Sequence, residues 1–232
     1  MGIDYTKRPA QPAPAAQPAP AAPPAQPAQP GKVSLTKAAP TVSLTKQGSA
    51  SGLMRINLNW NALPSGAGGG LFRRPKQLDL DLGCLYEFSD GTKGVVQALG
   101  NSFTAAPRSE RQRVIWLDAD DRSGASSTGE NLFIDLAFAS QIKRILVFAL
   151  IYEGAANWAT ADGVVTLFPA SGPQVEVRLD HPREGPRISA VAPLQSARGD
   201  LSVRREVKYL NGGQRLLDET YGWGMNWTAG RK

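Results

Sequence analysis

The chain has 232 residues and a formal net charge of +6, but residues 1–50 hold five of the 26 basic side chains and one of the 20 acidic ones, leaving a near-neutral body. That body lacks the basic footprint of a nucleic-acid binder, and no apolar run approaches the ~20 residues that cross a bilayer, so neither nucleic acid nor membrane insertion is expected. The single Cys84 excludes an internal disulfide, the single His181 excludes a histidine-cluster zinc site, and the N-terminus has no apolar signal core, so the expected location is the cytoplasm.

Residues 9–30 are an almost unbroken Pro/Ala/Gln tract. Such a segment cannot bury enough apolar area to offset its ordering entropy, and proline biases it toward extended polyproline II. Residues 1–32 therefore read as a disordered linker and 33–232 as the folded domain. A short repeat opens that domain: Val33-Ser-Leu-Thr-Lys37 and Val42-Ser-Leu-Thr-Lys46. Each copy alternates apolar and polar residues with the period of two of a half-buried strand.

Strand-like segments then follow one another. Ile56 to Trp60 alternates, and Leu78 to Phe88 alternates before the turn Ser89-Asp90-Gly91-Thr92 and the return strand Gly94 to Leu99. Val114 to Leu117 leads into an acidic loop, and Leu132 to Leu136 leads out of it. Ala137 to Ile142 suits a helical turn, and the apolar run Ile145 to Tyr152 suits a central strand buried on both faces. Val164–Phe168, Val175–Leu179, Ile188–Val191 and Leu201–Leu210 complete the spacing of an antiparallel β-sandwich, an all-β fold. Trp223 and Trp227, four residues apart, read as the buried face of a last strand.

The most informative stretch is Leu117 to Asn131 taken with Leu78-Asp-Leu-Asp-Leu82. Asp118, Asp120, Asp121, Glu130 and Asn131 crowd hard oxygen donors into one turn-rich segment, and Asp79 and Asp81, two apart, share a face if they lie on a strand. Carboxylates gathered without cations repel one another. A Ca²⁺ ion, which takes roughly 6–8 oxygen ligands in adaptable geometry, would relieve that. The spacing is not an EF-hand loop, and composition alone fits solvated loop carboxylates equally well.

These residues carry a resemblance. The doubled Val-Ser-Leu-Thr-Lys start, Asn59-Trp-Asn61, the Asp79/Asp81 pair and the block from Leu117 through Gly129-Glu-Asn131 are similar to the TerD-type tellurium-resistance and stress-response domain. The run Ile142 to Trp158, followed by Ala161-Asp-Gly163, resembles its TerA-like branch in particular. The resemblance implies a β-sandwich that binds Ca²⁺ at one end and has no enzymatic activity. It also implies tellurite and stress resistance alongside other stress proteins, in a multi-protein system near the membrane. The ligands it implies are Asp79, Asp81, Asp118, Asp120, Asp121 and Glu130, with Asn131 offering an amide oxygen and Glu153 falling where the family often has an acidic residue. Asn61 stands where members usually have Asp, and residues 66–74 are an insertion before Asp79; both count against a full second calcium site.

Two other functions fit parts of the sequence. Asp118 and Glu130 suit a hydrolase acid–base pair if their separation is right, although more carboxylates are present than such chemistry needs. Trp223 and Trp227 suit a stacking platform for carbohydrate or peptide, against the stronger reading that they are core.

Overall fold

The computed structural model describes residues 31–44, 51–61, 78–118, 129–154, 156–180, 184–197 and 200–228. The Pro/Ala tract, the insertion at 66–74, His181, and Asp120 and Asp121 lie outside them. In chain order the strands are β1 (Lys32–Ser34), β2 (Thr41–Ser43), β3 (Leu53–Asn59), β4 (Asp79–Phe88), β5 (Lys93–Val96), β6 (Thr104–Ala105) and β7 (Ile115–Leu117). They continue as β8 (Glu130–Asp135), β9 (Ile142–Glu153), β10 (Gly163–Phe168), β11 (Gln174–Leu179), β12 (Ile188–Ala197), β13 (Asp200–Arg204) and β14 (Lys208–Leu210). Among the described residues they are accompanied by two α-helices, α1 (Trp158–Ala161) and α2 (Gln214–Tyr221), and by 3₁₀ segments at Leu99–Asn101 and Leu136–Gln141. None among the described residues is long and apolar enough to cross a membrane.

The strands form two sheets, one in the order β1-β11-β10-β3-β8-β7-β6 and the other β2-β13-β12-β9-β4-β5, with β14 beside β12. Alternation builds the core between them. Met54, Ile56 and Leu58 of β3 and Leu132 and Ile134 of β8 meet Leu80, Leu82 and Cys84 of β4 and Val147, Ala149 and Ile151 of β9. The all-β sandwich expected from periodicity is the fold observed. β9 is its spine: its other face packs Leu146, Phe148 and Leu150 into a second apolar cluster with Leu217 of α2 and Trp223. Burial pushes the Cys84 thiol up to about 12, so it is an inert core residue, as its place in a strand suggested.

The repeat at the entrance does more than add two strands. Its first copy pairs with β11, Val33 opposite Val175, and is the parallel exception in an otherwise antiparallel sandwich. Its second copy pairs antiparallel with β13, Val42 opposite Val203. Each copy therefore closes the edge of a different sheet, with Leu35 and Leu44 turned into the shared core. Short closing strands of this kind leave little edge for another chain to join. β1 begins at Lys32, which forms an ion pair with Glu176.

Three sequence expectations are corrected. Ile188–Val191 continues to Ala197 through an irregularity between Ala190 and Ala192. Leu201–Leu210 is two strands that run in the same direction along β12, β13 beside its end and β14 beside its start, with the ladder interrupted between them where Val207 takes φ 47°. The C-terminal tryptophans lie on no strand. Residues 214–221 are helical, and 222–228 form a strap that returns over the second sheet.

Asp218 holds that strap, accepting hydrogen bonds from the Gly224 N–H (2.6 Å), the Met225 N–H (3.0 Å) and Trp227 Nε1 (2.7 Å). Burial alone would raise its pKa. The Trp227 indole and the two backbone donors outweigh burial and hold the carboxyl below the usual aspartate value. A carboxyl lowered in the folded state contributes stability above its unfolded pKa, near 3.9, and loses it as the pH falls through the folded value. Acidification below about pH 3.9 is therefore expected to release the strap. The readout is a red shift of tryptophan emission that Asp218→Ala shows already at neutral pH; identical emission from the two proteins across the range would refute the latch.

Candidate metal centre

Antiparallel pairing brings the ends of β3, β7 and β9 and the starts of β4 and β8 to one end of the sandwich. Leu58 lies opposite Glu130, Leu117 opposite Leu132, and Asp79 opposite Glu153. Five of the sequence candidates, Asp79, Asp81, Asp118, Glu130 and Glu153, gather there. Two polar ties join the sheets at this end: Trp60 Nε1 donates to the Leu78 carbonyl at 3.1 Å, and the Leu82 N–H donates to Glu130 Oε2 at 2.6 Å.

The second tie follows from where β5 stops. β5 pairs with β4 only over Cys84–Glu87, so the first residues of β4 run on past it. Glu130 falls in phase with Leu132 and Ile134, two and four residues on, which places its side chain on the inner face of β8. From there its carboxylate crosses to the β4 backbone, and Glu130 is only 3% exposed. Asp79 and Asp81 alternate instead with the core residues Leu80 and Leu82, so both take the other face of β4, and Asp81 is likewise 3% exposed. Asp118 is exposed, with its backbone N–H donating to the Asn131 carbonyl at 2.8 Å; Glu153 is exposed at the end of β9.

Asn131 takes a different part from the one the resemblance implied. Adjacent strand residues face opposite ways, so with Glu130 inward Asn131 points outward. There its Oδ1 accepts from Arg55 and from Asn57 Nδ2, both at 3.0 Å, which uses both lone pairs of an amide oxygen and commits it to the outer face of the first sheet. Sequence reading missed Asn57, and took Gly129 as part of the acidic block without its close approach to β3. Gly129 at φ 65° lets β8 start hard against β3: a Cβ there would lie 2.1 Å from the Leu58 carbonyl oxygen. A glycine directly before the first acidic residue of a strand was the available signal.

Among the described residues, no group of three carboxylate, imidazole or thiol side chains comes close enough to hold a metal ion. A complete oxygen set would draw on residues outside them, where Asp120 and Asp121 lie. The chemistry present is hard: carboxylates and backbone carbonyls, with the only thiol buried in the core.

No protein-family model matches the chain. Over 204 residues, 87% of its length, it is 40% identical to tellurium resistance protein TerA of an Alcaligenes species, and it spans 58% of that relative's length. Among solved structures, SAV2460, a protein of unknown function, aligns with 72% of this chain and 95% of its own at 15% identity and a TM-score of 0.53, a likeness of fold. A homologue of the telluride resistance protein TerD from Streptomyces coelicolor A3(2) aligns over the same fractions at 18% identity and a TM-score of 0.48. By the match to TerA the chain belongs to the TerA/TerD-like tellurium-resistance family.

Proposed function

We propose that this protein is a non-enzymatic stress-response module of tellurite resistance whose acidic end binds Ca²⁺ and, once loaded, docks other tellurium-resistance and stress proteins in a cytoplasmic complex near the membrane. The observation that carries the calcium reading is the placement of two nearly buried carboxylates, Asp81 and Glu130, beside the start of β4, where Asp79 and Glu153 also oppose each other in register. Like charges opposed across a sheet are destabilising. A divalent ion held on the outer face of β4 by Asp79 and Asp81, with the loop carboxylates Asp118, Asp120 and Asp121, would offset that repulsion, while Glu130, on the inner face and bonded to the Leu82 N–H, would fix the start of β4 beside it.

The hydrolase reading is disfavoured because Glu130 is tied to the Leu82 N–H inside the sandwich while Asp118 stands in solvent. The stacking-platform reading is disfavoured because Trp223 is buried, with Arg144 packed on its ring at 3.8 Å and Nε1 bonded to the Tyr86 carbonyl.

Calorimetric titration with Ca²⁺ tests the proposal, and no binding at millimolar concentration would end it. Ca²⁺ should also raise the melting temperature more than equal Mg²⁺, because Mg²⁺ demands near-ideal octahedral geometry at roughly 2.0–2.1 Å and dehydrates reluctantly. Asp81→Ala should shrink the calcium-induced shift while leaving apo stability level or higher, since it removes a ligand and a repelling charge together. A collapse of the apo fold instead would assign Asp81 a structural role.

A further inference from the structure

The two outer faces of the sandwich are treated differently. The second sheet is covered by α2 and the strap. No described element covers the first sheet, and a single row of side chains runs across it. Trp116 of β7 lies opposite Phe133 of β8, Phe133 opposite Arg55 of β3, and Arg55 opposite Phe168 of β10. All four alternate with core residues and so point outward. The Trp116 and Phe133 rings stack at 5.4 Å with 16° between their planes. Arg113 lies over the Trp116 ring at 4.4 Å and Arg55 over Phe168 at 4.0 Å.

We infer that this row is a docking face for an acidic peptide segment of a partner protein, with Arg113 and Arg55 as its carboxylate-reading groups. Charge complementarity carries the argument. Neither arginine has a carboxylate partner among the described residues, whereas Lys32 and Arg178 on the same face share Glu176. Stacking holds each guanidinium plane, so part of the rotamer entropy of ordering a fork is already spent before a carboxylate arrives. Arg113 is exposed; Arg55 commits one nitrogen to Asn131 and keeps further donors. Tryptophan and arginine are also the residues that dominate protein–protein hot spots.

The same geometry disfavours single-stranded nucleic acid, the other polyanion such a row suggests. Those ligands bind by stacking bases on aromatic faces. Here the Trp116 ring is already stacked with Phe133 and lies under the Arg113 guanidinium, so a base would have to compete with both for it.

The test uses the full chain and fluorescence anisotropy of a labelled oligo-glutamate peptide, with an oligothymidylate of equal charge as the alternative ligand. Arg113→Gln should weaken peptide binding about tenfold, the scale of one charge-assisted hydrogen bond. Arg113→Lys, which keeps the charge but loses the stacked fork, should recover only part of it. Arg111→Gln removes an equal charge from an exposed position off the row and should change affinity less than about twofold. Because Arg113 is exposed, these variants are expected to fold. Equal losses from Arg111→Gln and Arg113→Gln, no binding at low ionic strength, or tighter binding of the oligothymidylate would each overturn the inference.

Discussion

Replacing Gly129 by alanine is expected to destabilise the protein by about 3 kcal/mol or more, from two costs acting together. At φ 65° an L-residue costs roughly 1–2 kcal/mol, and the added Cβ would meet the Leu58 carbonyl oxygen at 2.1 Å. That oxygen belongs to β3, whose pairing with β10 and β8 holds it in place, so the strain must move β8. Gly91, at φ 80° with open space around it, separates the two causes. Asparagine tolerates positive φ but carries a Cβ. Gly91→Asn should therefore be nearly neutral and Gly129→Asn as damaging as Gly129→Ala. Urea unfolding at unchanged slope measures each; a Gly129→Asn midpoint close to wild type would remove the close approach from the account. The same substitution should blunt any Ca²⁺ response, because shifting the start of β8 moves Glu130 away from the Leu82 N–H.

Much of the sandwich was legible because period two speaks directly of a sheet with one face in a core. Met54, Ile56 and Leu58 had to face one way, and the hairpin at Ser89–Thr92 announced itself through Asp90 and Gly91. Asp90 accepts from the Thr92 N–H at 2.8 Å, the local bond for which aspartate is favoured in turns. The helical turn was legible for a similar reason: Asp135 accepts from the Ala137 N–H and starts the 3₁₀ segment Leu136–Gln141.

What period two cannot give is which sheet a strand joins or what lies across the core from it. The two copies of Val-Ser-Leu-Thr-Lys look equivalent, yet one pairs parallel with β11 and the other antiparallel with β13. The acidic end shows the same limit. Adjacent positions in a strand face opposite ways, so Glu130 and Asn131 could not both serve one centre once β8 began at Glu130. Their being neighbours in sequence made them look like partners. The C-terminal strap misled for another reason. Tryptophans four apart suit one face of a helix at least as well as a strand, and the group that organises them, Asp218, precedes both and acts through side-chain bonds that carry no periodicity.

The other large effect concerns the repeat. Deleting residues 1–30 is expected to shift the melting temperature by no more than about 2 °C, because a Pro/Ala/Gln tract offers no apolar face to the core. Deleting residues 1–46 is a different experiment. It removes Leu35, Val42 and Leu44, all buried, and strips the closing strand from both sheets at once. Each such side chain contributes about 1.5–3 kcal/mol by burial, so the three together rival the whole stability of about 5–15 kcal/mol typical of a domain. Unpaired, β11 and β13 would present open edges suited to joining other chains. The expected outcome is a protein that has lost its cooperative melt and elutes as aggregate in size exclusion, while the shorter deletion elutes as the full chain does. Leu44→Ala alone, at a fully buried position, should cost about 2–5 kcal/mol and so reproduce part of the loss without opening an edge. A chain lacking residues 1–46 that melted like the full-length protein would mean that the two copies decorate the sandwich without closing it.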